Sequence, residues 1–392
     1  MRTTSVMTGR SVMRNDIILE DTTLRDGEQA PGIAWARPQK LELLRALIEA
    51  GVRWIEVGIP KMGGDELSFV AQAREYAEQA RLIAWNRGLY DDIEQSMALG
   101  YDAIHIGLPT SDIHLQSSVG KSREWVCQRA VELIKTAKDR GVFVSISAED
   151  VGRTELPFLQ EYAGRVHEAG ADRLRLSDTI GILNPESYAE RVRAAKQAAP
   201  IDLQCHCHND FGLAVANTLA GLQAGARYFH VCVNGIGERA GMPDLAQTVL
   251  ALKHLYGHDT GVDTTQLPRL SRLVSTLTKT TIEPWRPVVG ANVFAHESGI
   301  HSNGTLKDSK SFEPIAPEEV GGQRRIVIGK HSGRAALAHV LGQQGVDYDE
   351  KRLNELLDHV RTLSITKSGE VLAEELVTLY RDLPEQGRSL PN

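Results

Sequence analysis

Cysteine is scarce: four residues in a chain of 392. Four cannot build the disulfide framework of a small secreted domain, and they fit a reducing compartment, taken here as the cytoplasm. Aromatic residues make up only 5% of the chain, so the 42% hydrophobic share that must fill the core is mostly aliphatic. The formal net charge is -7 with no strongly basic stretch, which leaves no electrostatic footprint for nucleic acid. No apolar run approaches the ~20 residues of a membrane helix, so no membrane partner is expected. Low-complexity segments are absent, and so is a Gly-x-Gly-x-x-Gly turn after the first β-rich run, which weakens the case for an open dinucleotide-binding sheet. Residues 1–15 carry Arg2, Arg10 and Arg14, no acid and no apolar signal core; they read as a disordered tail, with organelle targeting as the alternative.

What the chain does have, from residue 16, is one repeated theme. A short β-rich run ends in polar or glycine residues and a helical pattern follows. There are eight such runs: 17–23, 53–60, 81–87, 102–109, 142–150, 172–179, 201–208 and 228–235. Strands alternating with helices form parallel sheets. Eight units over roughly 240 residues predict a closed (β/α)8 TIM barrel over 16–260 rather than a doubly wound open sheet. After 260 the alternation stops. The rest, 261–392, is expected to be a mainly helical C-terminal region, with amphipathic helices near 348–362 and 369–382.

The seventh run, IDLQCHCH, is the most informative. Side chains alternate across a strand. Ile201, Leu203, Cys205 and Cys207 share one face; Asp202, Gln204, His206 and His208 share the other. The apolar face suits the helical shell, so the two histidines point to the barrel axis at the C-terminal end, where barrel enzymes keep their sites. A zinc knuckle needs its Cys and His ligands to converge, and here they diverge. A redox pair lacks the C-x-x-C helix-start geometry. Other runs also send polar groups inward: Glu56; His105; Ser145, Ser147 and Glu149; Arg173, Arg175, Ser177 and Thr179; His230, Cys232 and Asn234. A barrel built only for stability fills its axis with Val, Ile and Leu. So many inward polar groups indicate a site, although any one of them could be an ordinary satisfied pair. The first run leads into EDTTLRDGEQ, which puts Asp21, Arg25, Asp26, Glu28 and Gln29 at the same mouth. Two histidines and an Asp with open positions suit a divalent Mg, Mn or Zn ion.

DTTLRDGEQ (21–29), HCHNDFGLAVANTLAG (206–221), VNGIGERAG (233–241), HESGIH and GKHSG resemble the metal-dependent barrel synthases and lyases, which include isopropylmalate, citramalate and homocitrate synthases and the hydroxymethylglutaryl-CoA lyases. The resemblance implies Asp26, His206 and His208 as metal ligands, with Asn234 near enough to ligate or to order a water. It implies that Arg25 binds the carbonyl side of a 2-oxo acid, and that Gln29, Glu56 and Thr179 line the substrate pocket. The inward-facing His105 and Ser147 are assigned to the same pocket. Glu149 and His301 are implied as the acid–base groups, with His301 reaching the site of a neighbouring subunit in a homodimer.

GEQ after LRD is similar to the synthase form rather than the lyase form. The chain's length, with no further regulatory domain, together with EVGIPKMGGDE and AEDVGRT, is most similar to the homocitrate synthases of nitrogenase cofactor assembly. The expectation is therefore an acyltransferase that condenses acetyl-CoA with 2-oxoglutarate to give homocitrate and CoA. Oxaloacetate, pyruvate, 2-oxoisovalerate or a phosphono-2-oxo acid are the alternative substrates. A lyase, or a lapsed metabolite-binding barrel, is the alternative class. Two positions depart from the family pattern. Phe312 stands where the family has a Tyr thought to assist catalysis, and GERAGN becomes GERAGMPDL.

Overall fold

The computed structural model of the chain describes residues 13–384. It divides into two compact units, 1–281 and 282–392. In the first, eight parallel strands close into a barrel in sequence order: β1 (Ile18–Asp21), β2 (Trp54–Gly58), β3 (Arg81–Arg87), β4 (Ala103–Gly107), β5 (Phe143–Glu149), β6 (Arg173–Asp178), β7 (Asp202–Cys207) and β8 (Tyr228–Val231). Closure is made by β1 against β8, with Glu20 opposite His230. The expected TIM barrel is the observed fold, and each strand lies inside its predicted run.

Alternation explains the layering. Ile55, Ile104, Ile146, Leu174, Cys205 and Phe229 are fully buried on the outer faces, beneath the helices. Cys205 packs so closely on the helix Ala214–Gln223 that a Cβ at Gly221 would sit 2.5 Å from its sulfur. Helix ends follow the glycine pattern. The helix Arg37–Glu49 stops at Gly51, whose φ of +91° an L side chain rarely adopts, and whose Cβ would lie 2.4 Å from the Gly261 carbonyl oxygen. Among the described residues no helix is long and apolar enough to cross a membrane.

The boundary differs from the expected 260. The helix Leu267–Thr278 belongs to the barrel unit: the Trp35 indole donates to Leu277 O (3.2 Å), and Ser271 bonds Asn234. Strand–helix alternation ends before the unit does, because this helix is held by side-chain contacts rather than by another strand. Residues 1–12 of the expected tail lie outside the described residues. Met13 is buried, and Arg14 pairs with Asp16 and Asp202, so residues 13 and 14 are held against the barrel unit rather than belonging to a free tail.

The second unit holds a two-residue parallel strand pair, Ala295–His296 with Arg325–Ile326. The helix Gly299–Lys307 lies between the two strands, and the helices Arg334–Gln343, Leu353–Lys367 and Ala373–Asp382 follow them. Leu337, Leu341, Leu356, Val360 and Leu376 form its core. The helix Leu353–Lys367 begins five residues later than periodicity suggested, because Asp349 caps a short 3-10 turn at Glu350–Arg352 first, and Ala373–Asp382 begins four residues later.

Candidate active site

The barrel interior is built in tiers. At the base, the Arg173 guanidinium lies over the Tyr228, Trp54 and Phe143 rings (4.7, 5.8 and 5.6 Å to the centroids) and donates to Glu20 at 2.6 Å. One tier up, the Arg175 guanidinium bridges Glu20 (3.3 Å), Glu56 (2.5 Å) and Gln204 (2.8 Å). Glu56 also accepts from Arg25 Nε (2.5 Å) and Thr22 Oγ1 (2.9 Å). Burial pushes the Glu20 carboxyl up, but Arg173, His230 and Arg175 outweigh it and hold it at about 2. Burial likewise opposes ionisation of Glu56, and Arg175 and Arg25 win, keeping it well below the usual carboxylate range. Both acids are therefore paired carboxylates, as buried charges must be.

The top tier is different. Asp26, His206 and His208 are buried, and one potential ligand atom from each lies within 4.8 Å of the others. His206 Nε2 is 3.7 Å from Asp26 Oδ2. His206 Nδ1 contacts His230 Nδ1 at 2.7 Å, and His230 Nε2 contacts Glu20 Oε1 at 2.7 Å. His208 Nδ1 is buried with no hydrogen-bond partner. Burial, followed by the nearby His230, His208 and arginines, keeps His206 from protonating, which leaves a lone pair to donate. An orphaned imidazole nitrogen, a neutral imidazole and a carboxylate at this spacing fit a divalent ion. A second cluster, Glu20, Glu56 and His230, also has ligand-type atoms close together. It does not fit an ion, because guanidinium groups already occupy both carboxylates.

A cavity of about 220 Å³ opens above these tiers, lined by Arg25, Asp26, Gln29, Trp85, His105, Glu149, Arg175, Ser177, Thr179, His206, His208, Glu238 and Arg239. An adjoining cavity of about 490 Å³ shares Arg25, Gln29 and Glu238 with it. Arg25 Nη1 donates to Asp26 (2.8 Å) and Gln29 (3.2 Å), and its Nη2 (NH2) makes no hydrogen bond among the described residues. His105 Nδ1 pairs with Ser145 Oγ at 2.8 Å, while its buried Nε2 has no partner. Burial raises the Glu149 carboxyl above its ordinary value. Gly107 makes room for it: a Cβ there would lie 2.6 Å from both Glu149 Oε1 and the Trp85 ring.

Several expected residues sit elsewhere. Glu56 does not line the cavity; it lies below, gripping Arg25 and Arg175. Ser147 is one step behind the wall, accepting from Leu108 N (3.1 Å) and contacting Glu149 at 3.4 Å. Alternation gives a side chain's face but not what covers it: Glu56 is engaged by Arg25 and Arg175, and the Ser147 hydroxyl by Leu108 N. Asn234 turns away from the proposed ligands: with φ +57° its amide donates to Ser271 O (2.9 Å) and accepts from Ser271 Oγ (2.5 Å). Thr179 lines the cavity, and its hydroxyl also accepts from Asp150 N (2.8 Å). His301 lies in the second unit, exposed on Gly299–Lys307, its ring stacked on Phe312 at 4.3 Å. Glu20, Trp85, Glu238 and Arg239 received no role from the sequence. Period-two alternation applied to β1 and β3 points at Glu20 and Trp85. Nothing local marks Arg239, which folds over the mouth to Asp210 (2.9 Å) and Thr179 O (2.6 Å).

Comparison with known proteins agrees with this architecture. The HMGL-like family matches residues 16–274, and the homocitrate synthase post-HMGL domain-like family matches 288–368. A 2-phosphonomethylmalate synthase of Streptomyces rubellomurinus is 60% identical over 94% of this chain and 99% of its own. The 2-isopropylmalate synthase 2 of Caldanaerobacter subterraneus is 44% identical over 95% of this chain and 97% of its own. Homocitrate synthase 1 of a Nostoc species is 40% identical over 94% and 98%. The 2-isopropylmalate synthase is matched over nearly its whole length, so chain length does not separate these activities as expected. With a closed eight-stranded barrel, a His-x-His pair facing an Asp across its mouth and a family match over most of its length, this chain belongs to the HMGL-like family.

Proposed function

We propose that this chain is an acyltransferase that joins the methyl carbon of acetyl-CoA to the keto carbon of 3-phosphonopyruvate, giving 2-phosphonomethylmalate and free CoA. The observation that carries the choice of substrate is the 60% identity to a 2-phosphonomethylmalate synthase across 94% of this chain. The expected homocitrate activity has weaker support, 40% identity, although the match of residues 288–368 to the homocitrate synthase post-HMGL domain-like family keeps 2-oxoglutarate as the second substrate to test.

The site chemistry suits such a condensation. Two adjoining cavities leave room for two substrates side by side. A divalent ion held by Asp26, His206 and His208 would supply Lewis acidity at the keto oxygen. Arg25, braced by Glu56, Asp26 and Gln29, keeps NH2 for the 2-oxo acid and steadies the negative charge that develops on its keto oxygen. We assign the distal anionic group to Arg239 and the open Nε2 of His105, which both line the cavity. Glu149, its carboxyl raised by burial, serves proton transfer with His301 contributed by the second subunit of a homodimer. The base takes a methyl proton from acetyl-CoA, the resulting carbon nucleophile forms the new C–C bond, and the keto oxygen becomes the product hydroxyl. Water then cleaves the thioester and CoA leaves as its thiol.

The test is thiol release from acetyl-CoA with a panel of 2-oxo acids. We expect 3-phosphonopyruvate to give the highest kcat/KM, by tenfold or more over 2-oxoglutarate, oxaloacetate, pyruvate and 2-oxoisovalerate. A preference for 2-oxoglutarate would replace this reading with homocitrate synthesis. Release of no thiol with any acid would overturn the synthase reading altogether.

A further inference from the structure

The interior of the barrel contains a chain of hydrogen bonds that ends on one of the proposed metal ligands. Glu20 Oε1 meets His230 Nε2 at 2.7 Å, and His230 Nδ1 meets His206 Nδ1 at 2.7 Å. Glu20 and His230 are completely buried and His206 nearly so. No mechanistic step above uses Glu20 or His230.

The direction of these bonds follows from what each atom can do. Glu20 is a carboxylate bound by two guanidinium groups, so it only accepts. His230 Nε2 must therefore carry hydrogen. Within this bonded network three guanidinium groups, Arg25, Arg173 and Arg175, already face three carboxylates, Glu20, Glu56 and Asp26. An imidazolium at His230 would be an unmatched buried cation beside two guanidinium groups, which is costly. A neutral His230 with hydrogen on Nε2 has a bare Nδ1. At 2.7 Å from another Nδ1, one of the pair must donate, so hydrogen sits on His206 Nδ1. The remaining lone pair of His206 is then on Nε2, the atom that faces Asp26 at 3.7 Å.

We propose that His230 and Glu20 are positioning residues for the metal centre: through the Glu20–His230–His206 chain they fix the tautomer and ring orientation of His206 so that Nε2 is presented to the ion. This rests on the assignment of Asp26, His206 and His208 as the ligands. Outer partners of ligating histidines characteristically set tautomer and basicity, and losing one typically weakens metal binding ~10–100-fold. The structure also explains why an acceptor is needed at 230. The tiers below are saturated by arginine, and no other acceptor is within hydrogen-bond distance of His206 Nδ1 among the described residues.

The experiment uses the full chain stripped with a chelator and retitrated with Mn(II) or Zn(II) alone, alongside histidine ¹⁵N spectra of the metal-free wild type. The spectra are expected to show His206 protonated at Nδ1. His230→Leu, which removes the acceptor, is expected to weaken ion binding 10–100-fold. His230→Asn puts a carboxamide oxygen near the lost Nδ1 and is expected to recover most of that loss. The inference is overturned if His206 carries its hydrogen on Nε2, if His230→Leu binds within threefold of wild type, or if His230→Asn is as weak as His230→Leu. If His230→Leu does not fold, the wild-type spectrum decides alone. Failure of the wild type to bind either ion would overturn the ligand assignment itself, and this inference with it.

Discussion

Two clusters of acids and imidazoles sit one above the other in the same barrel. Glu20, Glu56 and His230 form the lower, and Asp26, His206 and His208 the upper. By residue type and spacing both could hold a cation. They differ in what surrounds them. The lower acids are each gripped by two arginines, from Arg173, Arg175 and Arg25, so every strong acceptor is taken. In the upper cluster Asp26 has Arg25 on one side only, and His208 keeps an unpartnered buried nitrogen. Saturation makes a scaffold and incompleteness makes a site. The same chemical groups do either job according to how many guanidinium groups reach them.

The sharpest way to break this comparison is to remove a proposed metal ligand from the open cluster alone. His208→Ala is expected to lower turnover by at least a thousandfold, about 4 kcal/mol at the transition state, and to abolish retention of the divalent ion. Its unfolding midpoint without metal should stay near that of the wild type without metal. Full activity, or collapse of the metal-free fold, would show that His208 belongs to the scaffold instead. The converse change opens the closed cluster. Arg175→Leu leaves Glu56 with Arg25 as its one remaining cation, beside the Thr22 hydroxyl, and strips the Gln204 carboxamide oxygen of its donor. Breaking one side of such a buried pair costs ~3–5 kcal/mol, so the denaturation midpoint should fall steeply. A stability within 1 kcal/mol of wild type, measured by denaturant titration, would show that water reaches this tier.

Acid should distinguish the tiers more gently. Glu20 is held at about 2, below its ordinary value, by Arg173, His230 and Arg175 acting against burial. A depressed folded value contributes stability above the unfolded carboxylate value, and that stability is lost as pH falls toward about 2. The metal-free protein should therefore lose stability progressively below about pH 4.5, and Glu20→Gln should flatten that slope. An unchanged slope would mean that Glu20 is not the linked group.

How much of this was legible beforehand follows from the same contrast. Period-two alternation put His206, His208, His105, Arg175 and Glu149 on the inner face, and the run-and-helix rhythm located all eight strands. Alternation carries no information on what covers a side chain. Glu56 and Ser147 share the inner face with true cavity residues but are taken up by neighbours, Glu56 by Arg25 and Arg175 and Ser147 by Leu108 N. Asn234 escaped for another reason: it leaves β8 in a left-handed turn, where period two no longer applies, and a helix beyond the expected domain end captures its amide. Pairing across the barrel, such as Glu20 with Arg173, joins residues 153 positions apart, and no local pattern encodes it.

The second unit supplies a third case, and with it the smallest expected effect. The His301 side chain makes no hydrogen bond among the described residues; its ring is held only by stacking on Phe312, at 4.3 Å and 24°. Like the upper cluster it is an imidazole left chemically open. Phe312 is wedged against Gly304, where a Cβ would lie 2.2 Å from its ring, so the glycine makes the stack possible. The family Tyr would keep this aromatic contact and add a hydroxyl. If the ring's main task is to orient His301, then Phe312→Tyr should change turnover by less than about a hundredfold, roughly 2.7 kcal/mol at the transition state. Phe312→Ala, which removes the stack, should cost more than Phe312→Tyr changes in either direction. Full turnover is measured beside proton exchange into the acetyl-CoA methyl group. If the wild type shows neither and Phe312→Tyr switches both on, the hydroxyl was indispensable, and His301 in this chain is an open group without a reaction to serve.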